Sequence, residues 1–443
     1  MSLPLSNEFV LPTNKEVGAT NHPEPDNTCT YLCGNSLGPL SKRSSALVQE
    51  ELRVWGTCGV TGHFGTHPHG RGWVDFCDHI TPLFAELVGA NEKEVACMGT
   101  LTANLHLMMD SFYKPTPERY KILCEARAFP SDQASNPPSR PYAFASQALA
   151  HGLDPAKAVL EISPRPGEYT LREQDILDTI AREGTSIALV IFSGVQYYTG
   201  QWFPMQSITR AAQAQGCICG WDLAHAVGNV PLSLHDWGVD FAVWCTYKYV
   251  NAGPGSIAGL YVHEKWKETE LPKFAGWWGH DPVTRFAMPP KFSPIEGAQG
   301  FQQSNPGILV AASLLGSLQI FKEAGMMQVL RERSLQLTAT LETLLKQSKY
   351  FVPVEEAATR QSTKPAFTII TPADPKSRGA QLSLLFLPSG VMQSVHDGLT
   401  GLGVIGDERR PDVIRLAPAP LFNRIEDCER GAIVLERVLD SLA

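Results

Sequence analysis

A series of short apolar runs between residues 71 and 310 constrains the fold more than any other feature. They are Tyr120–Cys124 (YKILC), Ser186–Ser193 (SIALVIFS), Gly216–Asp222 (GCICGWD) and Val239–Cys245 (VDFAVWC). Helical patterns separate them, one from near Thr102 to about Met109 and another from Ile208 to Gln215. Apolar runs of this length alternating with helices imply βαβ units. A sheet built that way is parallel and covered on both faces. The expected class is therefore α/β, with a mostly parallel central sheet.

The chain has 443 residues, too many for one ordinary hydrophobic core, so more than one domain is expected. Residues 1–70 read as an arm, with loops, an amphipathic helix from Ser41 to roughly Trp55 and a Gly/His-rich segment. Residues 71–310 read as the large domain. Residues 311–443 read as a smaller α+β domain. Its expected helices are Ala311–Lys322 and Met326–Gln347, with a closing helix from about Ile425. Its expected strands are Ala366–Thr371, Gln381–Phe386 and Val413–Leu416.

Hydrophobic residues make up 43% and charged residues 19%, as in soluble globular chains. A net charge of −8 leaves no electrostatic footprint for nucleic acid or an anionic membrane. No apolar run is long enough to span a bilayer. The segment Met1–Thr30 is polar and lacks the basic start and apolar stretch of a secretory signal, so a cytoplasmic location is expected. The 10 cysteines are scattered without a C-x-x-C pair, and reduced thiols are expected.

Candidate chemistry gathers at the predicted strand ends. Lys248 stands between Tyr247 and Tyr249, after Val239–Cys245. Partial desolvation there lowers an ammonium pKa, and only the neutral amine attacks an aldehyde. The small-residue loop Asn251–Gly255 (NAGPG) lets backbone approach a ligand. An exposed lysine after a strand is the competing reading. Asp222 closes Gly216–Asp222, where ligands bind in open α/β sheets. A carboxylate there can keep a pyridine nitrogen protonated. It can also cap the next turn, or ligate a metal with His225, although no third ligand stands at a fixed spacing. The stretch Gly99–Asn104 (GTLTAN) opens a helix whose free N–H groups suit a phosphate; an ordinary Thr N-cap is the alternative. Phe129, in the run Phe129, Pro130, Ser131 and Asp132, can stack on a pyridine ring or simply pack. His63, His67 and His69 raise a zinc reading, but Gly65 and Pro68 break any helical spacing. A gating or surface loop is the simpler reading, and no metal is expected.

The order of these elements, together with several longer stretches, resembles the kynureninases, pyridoxal-phosphate (PLP) enzymes of fold type I. The stretches are LCGNSLG (Leu32–Gly38), FPSD (Phe129–Asp132), FSGVQYYTGQ (Phe192–Gln201) and DLAHAVGN (Asp222–Asn229). They continue with HDWGVDFAVWCTYKYVNAGPG (His235–Gly255), GWWGH (Gly276–His280), SNP (Ser304–Pro306) and RLAP (Arg415–Pro418). The likeness spans nearly the whole chain. It departs at Ala134–Pro141, which looks like an insertion beside FPSD and reads by composition as a surface loop.

The resemblance implies roles for the matching positions. Lys248 is the lysine that holds PLP as a Schiff base and then removes the substrate α-proton. Asp222 faces the pyridine nitrogen, with His225 near. Leu101, Thr102, Ser193, Tyr198 and Tyr247 hold the cofactor, largely around its phosphate, and Tyr247 is a candidate proton donor or acceptor. Phe129 stacks on the ring, with Pro130, Ser131 and Asp132 beside it. Trp277 and Asn305 reach the cofactor from the second subunit of a homodimer. Arg415 grips the substrate α-carboxylate as a bidentate pair. Ser36, His63 and Asn305 line the aryl pocket. The implied reaction is hydrolytic cleavage of L-kynurenine or 3-hydroxy-L-kynurenine to an anthranilate and L-alanine. Rival readings are an aminotransferase, a cysteine desulfurase or a non-catalytic PLP-binding homologue. The desulfurase needs a mobile-loop cysteine, and none lies between Cys245 and Cys428.

Overall fold

The computed structural model describes residues 5–126, 128, 142–357 and 359–443. The apolar runs form the strands Lys121–Glu125, Ile187–Ser193, Ile218–Asp222 and Phe241–Trp244, which lie side by side and parallel. Val159–Ile162 adds a parallel strand outside Lys121–Glu125. Gly259–Val262 and Val95–Cys97 complete a seven-stranded sheet through antiparallel pairs. The mostly parallel α/β sheet is as expected. The three further strands are only 3 or 4 residues long, which is why no apolar run marked them.

Strand residues alternate between two cores, as the pleat requires. Val190 and Phe192 point to one side, with Trp221, Trp244 and Phe84. Leu189 and Ile191 point to the other, with Leu105, Met108 and Phe112 of the helix Leu101–Phe112. Helix Ile308–Glu323 buries Ala311, Leu314 and Leu318 in the first core. It also lies along helix Lys42–Cys58: Ser44 Oγ donates to the Ser313 carbonyl at 2.7 Å. No single helix among the described residues is long and apolar enough to cross a membrane.

A second, four-stranded antiparallel sheet runs Ala366–Ile369, Leu382–Leu387, Val413–Leu416 and Asp407–Arg409. Helices Met326–Gln347, Met392–Gly401 and Ile425–Leu442 cover it through Leu337, Leu341, Val395, Leu399, Leu435 and Leu439. The amino-terminal segment ties the two sheets together. Thr30–Tyr31 pairs with Val404–Ile405, Cys33 bridges to Ala417, and the Gly38 N–H then donates to the Tyr247 carbonyl at 2.8 Å.

Gly38 has no room for a side chain. A Cβ there would lie 2.5 Å from the Lys248 carbonyl oxygen and 2.1 Å from Asn251 Oδ1. Overpacking of this kind costs about 1–3 kcal/mol. Gly38→Ala is expected to lower unfolding stability by that amount and to weaken cofactor retention. Urea denaturation and cofactor absorbance after dialysis measure both; a wild-type midpoint would contradict the close approach.

Candidate active site

The parallel sheet delivers its functional side chains at strand ends. Ile187–Ser193 and Ile218–Asp222 are hydrogen-bonded in a register that pairs Ser193 with Asp222, and Asp222 in turn sits beside Val243. After Trp244 the chain turns tightly. The Asn251 N–H donates to the Lys248 carbonyl at 2.9 Å, and the Ala252 N–H to the Thr246 carbonyl at 3.0 Å. Asn251 itself takes a left-handed φ of 58°. These bonds fix the peptide that carries Lys248.

A cavity of about 130 Å³ opens at these strand ends. Leu101, Thr102, Ser193, Asp222, His225, Tyr247 and Lys248 line it, all of them expected. Val195, Tyr197 and Ala224 line it as well and were not anticipated. Lys248 is 7% exposed. Burial is the main cause that holds its amine below the ordinary lysine pKa, against the opposing charges of Cys245 and Asp222. The Lys248 Nζ lies 3.0 Å from His225 Nε2. Burial first, then the Lys248 charge, keeps His225 well below its usual range and therefore neutral. The other ring nitrogen, Nδ1, is buried and has no partner among the described residues. Asp222 Oδ1 accepts from the Ala224 N–H at 2.8 Å, so this carboxylate caps its turn and also lines the cavity.

The helix start at the cavity rim is built to receive an anion. Thr100 is the N-cap of Leu101–Phe112, but its side chain caps nothing. The first-turn N–H groups and the helix dipole therefore face outward. Gly99 enters the helix at φ +57°, where a Cβ would meet Asn104 Oδ1 at 2.4 Å. Asn104 instead donates to the Met98 carbonyl at 2.9 Å and locks the approach to the helix. The described residues thus fit pyridoxal phosphate: a buried amine, a strand-end carboxylate, an uncapped helix start and an unpartnered buried ring nitrogen.

Other expected residues lie elsewhere. The Tyr198 side chain is not among the cavity's lining; its carbonyl accepts from Ser383 Oγ at 2.6 Å. Arg415 is fully buried on the small sheet. Its Nη1 donates to the carbonyl of cavity-lining Tyr197 at 2.7 Å, which brings it to the site. Ser36 sits in the arm, its N–H bonded to the Cys33 carbonyl at 3.0 Å. His63 lies on a surface turn, its Nδ1 3.1 Å from the Val60 carbonyl and its ring against Trp73. Asn305 lines a separate cleft of about 480 Å³ that shares Gly99 and Thr100 with the same helix start. Trp277 is 46% exposed and donates to the Arg285 carbonyl. Ser36, His63, Trp277 and Asn305 are all absent from the Lys248 cavity of this chain. His67 and His69 bond separately to Glu51 and Glu50. Phe129, Pro130, Ser131, Asp132 and the stretch Ala134–Pro141 lie outside the described residues.

Glu125 is a functional-site neighbour that sequence reasoning missed. It closes the strand Lys121–Glu125, fully buried, and accepts from the N–H and hydroxyl of Ser193. The signal was present, since a carboxylate directly ends an apolar run. Burial, with Asp222 adding repulsion, pushes its pKa up to about 7. The native state therefore holds a proton that the unfolded chain releases above the ordinary glutamate value of 4.5. Stability falls as pH rises from there to about 7, by about 3 kcal/mol in all. Glu125→Gln is expected to remove that slope. Urea denaturation at about pH 5 and about pH 8 measures it, and a slope equal to wild type would contradict a proton-holding Glu125.

Comparison with known proteins agrees with this geometry. The family model for the kynureninase C-terminal domain matches residues 330–435, and that for class-V aminotransferases matches residues 155–377. The kynureninase of Yarrowia lipolytica is 49% identical over 93% of this chain and 94% of its own. That of Nematostella vectensis is 49% identical over 99% and 91%. That of Saccharomyces cerevisiae is 47% identical over 99% and 97%. Among solved structures, a cysteine desulfurase from Thermococcus onnurineus superposes with a TM-score of 0.72 at 16% identity, covering 94% of this chain and 95% of its own. One from Escherichia coli gives 0.74 at 13% identity with full coverage of both chains. The structural likeness fixes the fold alone, whereas full-length identities near one half fix the family: the chain belongs to the kynureninases.

Proposed function

We infer that this chain hydrolyses the Cβ–Cγ bond of L-kynurenine or 3-hydroxy-L-kynurenine, using one water and releasing an anthranilate and L-alanine. The observation that carries the reading is the buried Lys248 amine at 3.0 Å from neutral His225, in a cavity that also holds Asp222. When bound, pyridoxal phosphate supplies an electrophilic carbon for the substrate amine and a ring that accepts the electrons left by α-proton loss.

The chain's residues supply the remainder. Lys248 Nζ, whose pKa burial lowers, would be the amine that joins the cofactor and the base that takes the substrate α-proton. His225 Nε2, 3.0 Å from Nζ, holds the amine in place in the cavity. Asp222 would keep the ring nitrogen protonated. The uncapped start of Leu101–Phe112, with Thr102 and Ser193, would hold the phosphate. Burial raises the Tyr247 phenol, so it stays protonated and serves as a proton donor beside Lys248. Arg415 takes the substrate α-carboxylate.

The assembly is read as a homodimer with the site completed across the interface. Phe64, Phe286 and Trp277 form a run of exposed rings at 5.8 and 5.3 Å spacings, with Val283 and Met288 exposed nearby. Such an apolar face suits a second copy. The Asn305 cleft adjoins the same helix start as the Lys248 cavity. The exposed Trp277 ring on that face suits a site in which Trp277 of the partner subunit and Asn305 of the partner subunit reach the cofactor.

Lys248→Ala is expected to abolish anthranilate release from L-kynurenine, followed by fluorescence, and to remove the visible absorbance of the lysine-bound cofactor. Retained turnover would end this reading. Arg415→Lys loses the planar fork and should raise KM by at least about tenfold, with a smaller effect on kcat. An assay with and without an added keto acid separates hydrolysis from transamination.

A further inference from the structure

We propose that Asp407 is a positioning residue for substrate recognition, holding Arg415 and Arg409 as a paired guanidinium site for the substrate carboxylate. The inference rests on the assignment of Arg415 as the carboxylate anchor.

The backbone sets up the cluster. The edge strand Asp407–Arg409 runs antiparallel to Val413–Leu416, in a register that places Asp407 opposite Arg415. Asp407 and Arg409, two residues apart, share a face of that strand. Asp407 Oδ1 accepts from Arg409 Nη1 at 2.7 Å, and Oδ2 accepts from Arg409 Nη2 at 3.1 Å. Oδ2 also accepts from Arg415 Nη2. The Arg415 fork is then fixed at its other terminal nitrogen by the Tyr197 carbonyl. Its third nitrogen, Nε, is buried and has no partner among the described residues; the same holds for Arg409 Nε.

Charge completes the picture. Two guanidiniums share one carboxylate, which leaves one positive charge in excess, with the Arg415 side chain fully buried and that of Arg409 partly exposed. A cation kept in part from water favours the arrival of a counter-ion. The cluster reaches the site through Tyr197, which lines the Lys248 cavity and whose carbonyl takes Arg415 Nη1 at 2.7 Å; the charges of Arg415 and Arg409 are also felt at His225. A single carboxylate, as on an α-amino acid, balances the charge and takes the waiting N–H donors. Asp407 thus does two things: it cancels one of the two cations, and it fixes the plane of Arg415.

These roles make opposite forecasts for Asp407→Asn. If charge alone mattered, the variant would gain net positive charge and bind carboxylates more tightly. If Asp407 positions Arg415, binding weakens despite the gained charge. The test uses PLP-loaded enzyme and two competitive inhibitors, L-alanine, which carries the α-carboxylate, and 2-aminoacetophenone, which lacks it. Expected for Asp407→Asn is a rise of about tenfold in KM and in the L-alanine inhibition constant, with that of 2-aminoacetophenone within about twofold. Arg409→Gln, at a partly exposed side chain, removes the surplus charge and should weaken L-alanine in the same selective way. Asp407→Glu is expected to restore part of the L-alanine affinity. Unchanged or tighter L-alanine binding in Asp407→Asn, or equal weakening of both inhibitors, overturns the proposal. Arg415→Lys separates the two levels: if it leaves L-alanine binding intact, the carboxylate-anchor assignment itself fails. If it weakens L-alanine while Asp407→Asn does not, only the role of Asp407 fails.

Discussion

The hydrogen-bonded register between Ile187–Ser193 and Ile218–Asp222 is the constraint on which the site depends. Parallel strands must all finish at the same edge, so their last residues become neighbours whatever their distance in sequence. Ser193 meets Asp222 through that register, and Glu125 reaches Ser193 from the next strand. The turn after Phe241–Trp244 then needs only a few residues to swing Lys248 over them. A one-residue slip would turn Asp222 to the opposite face and dismantle the cavity. The apolar residues between are therefore as much a part of the site as the polar ones that end each strand.

Much of this was legible in the sequence, for identifiable reasons. Strands such as Ile187–Ser193 are buried on both faces, and their composition shows it. Helix Met326–Gln347 has the boundaries its pattern predicts. The neighbours of Lys248 were readable because Asp222, His225 and Tyr247 sit within a turn of a strand end. Short strands were not readable: Val95–Cys97 offers 3 residues, and its place comes from pairing with distant Gly259–Val262. Tyr197 and Val195 were missed for a related reason. A loop that wraps a cavity has no periodicity, and the neighbouring Tyr198 drew the attention that its companion merited. Glu125 went unnoticed because a carboxylate beside a strand reads as solvent-facing until the sheet is seen to cover it.

Buried charge is handled differently in the two halves of the molecule. In the large sheet burial shifts each group toward its uncharged form: Lys248 and His225 downward, and Glu125 upward. In the small sheet the charges are paired, with Asp407 bonded to both Arg409 and Arg415.

The amino-terminal segment has a mechanical consequence. It pairs with the small sheet at Thr30–Tyr31 and at Cys33, and a few residues later Gly38 grips the peptide next to Lys248. The small sheet also carries Arg415. The strand that carries Arg415 and the turn that carries Lys248 are thus joined by a short strap as well as by the long covalent route through the rest of the chain, so a few residues of the amino-terminal segment set how the two sheets are spaced at this point.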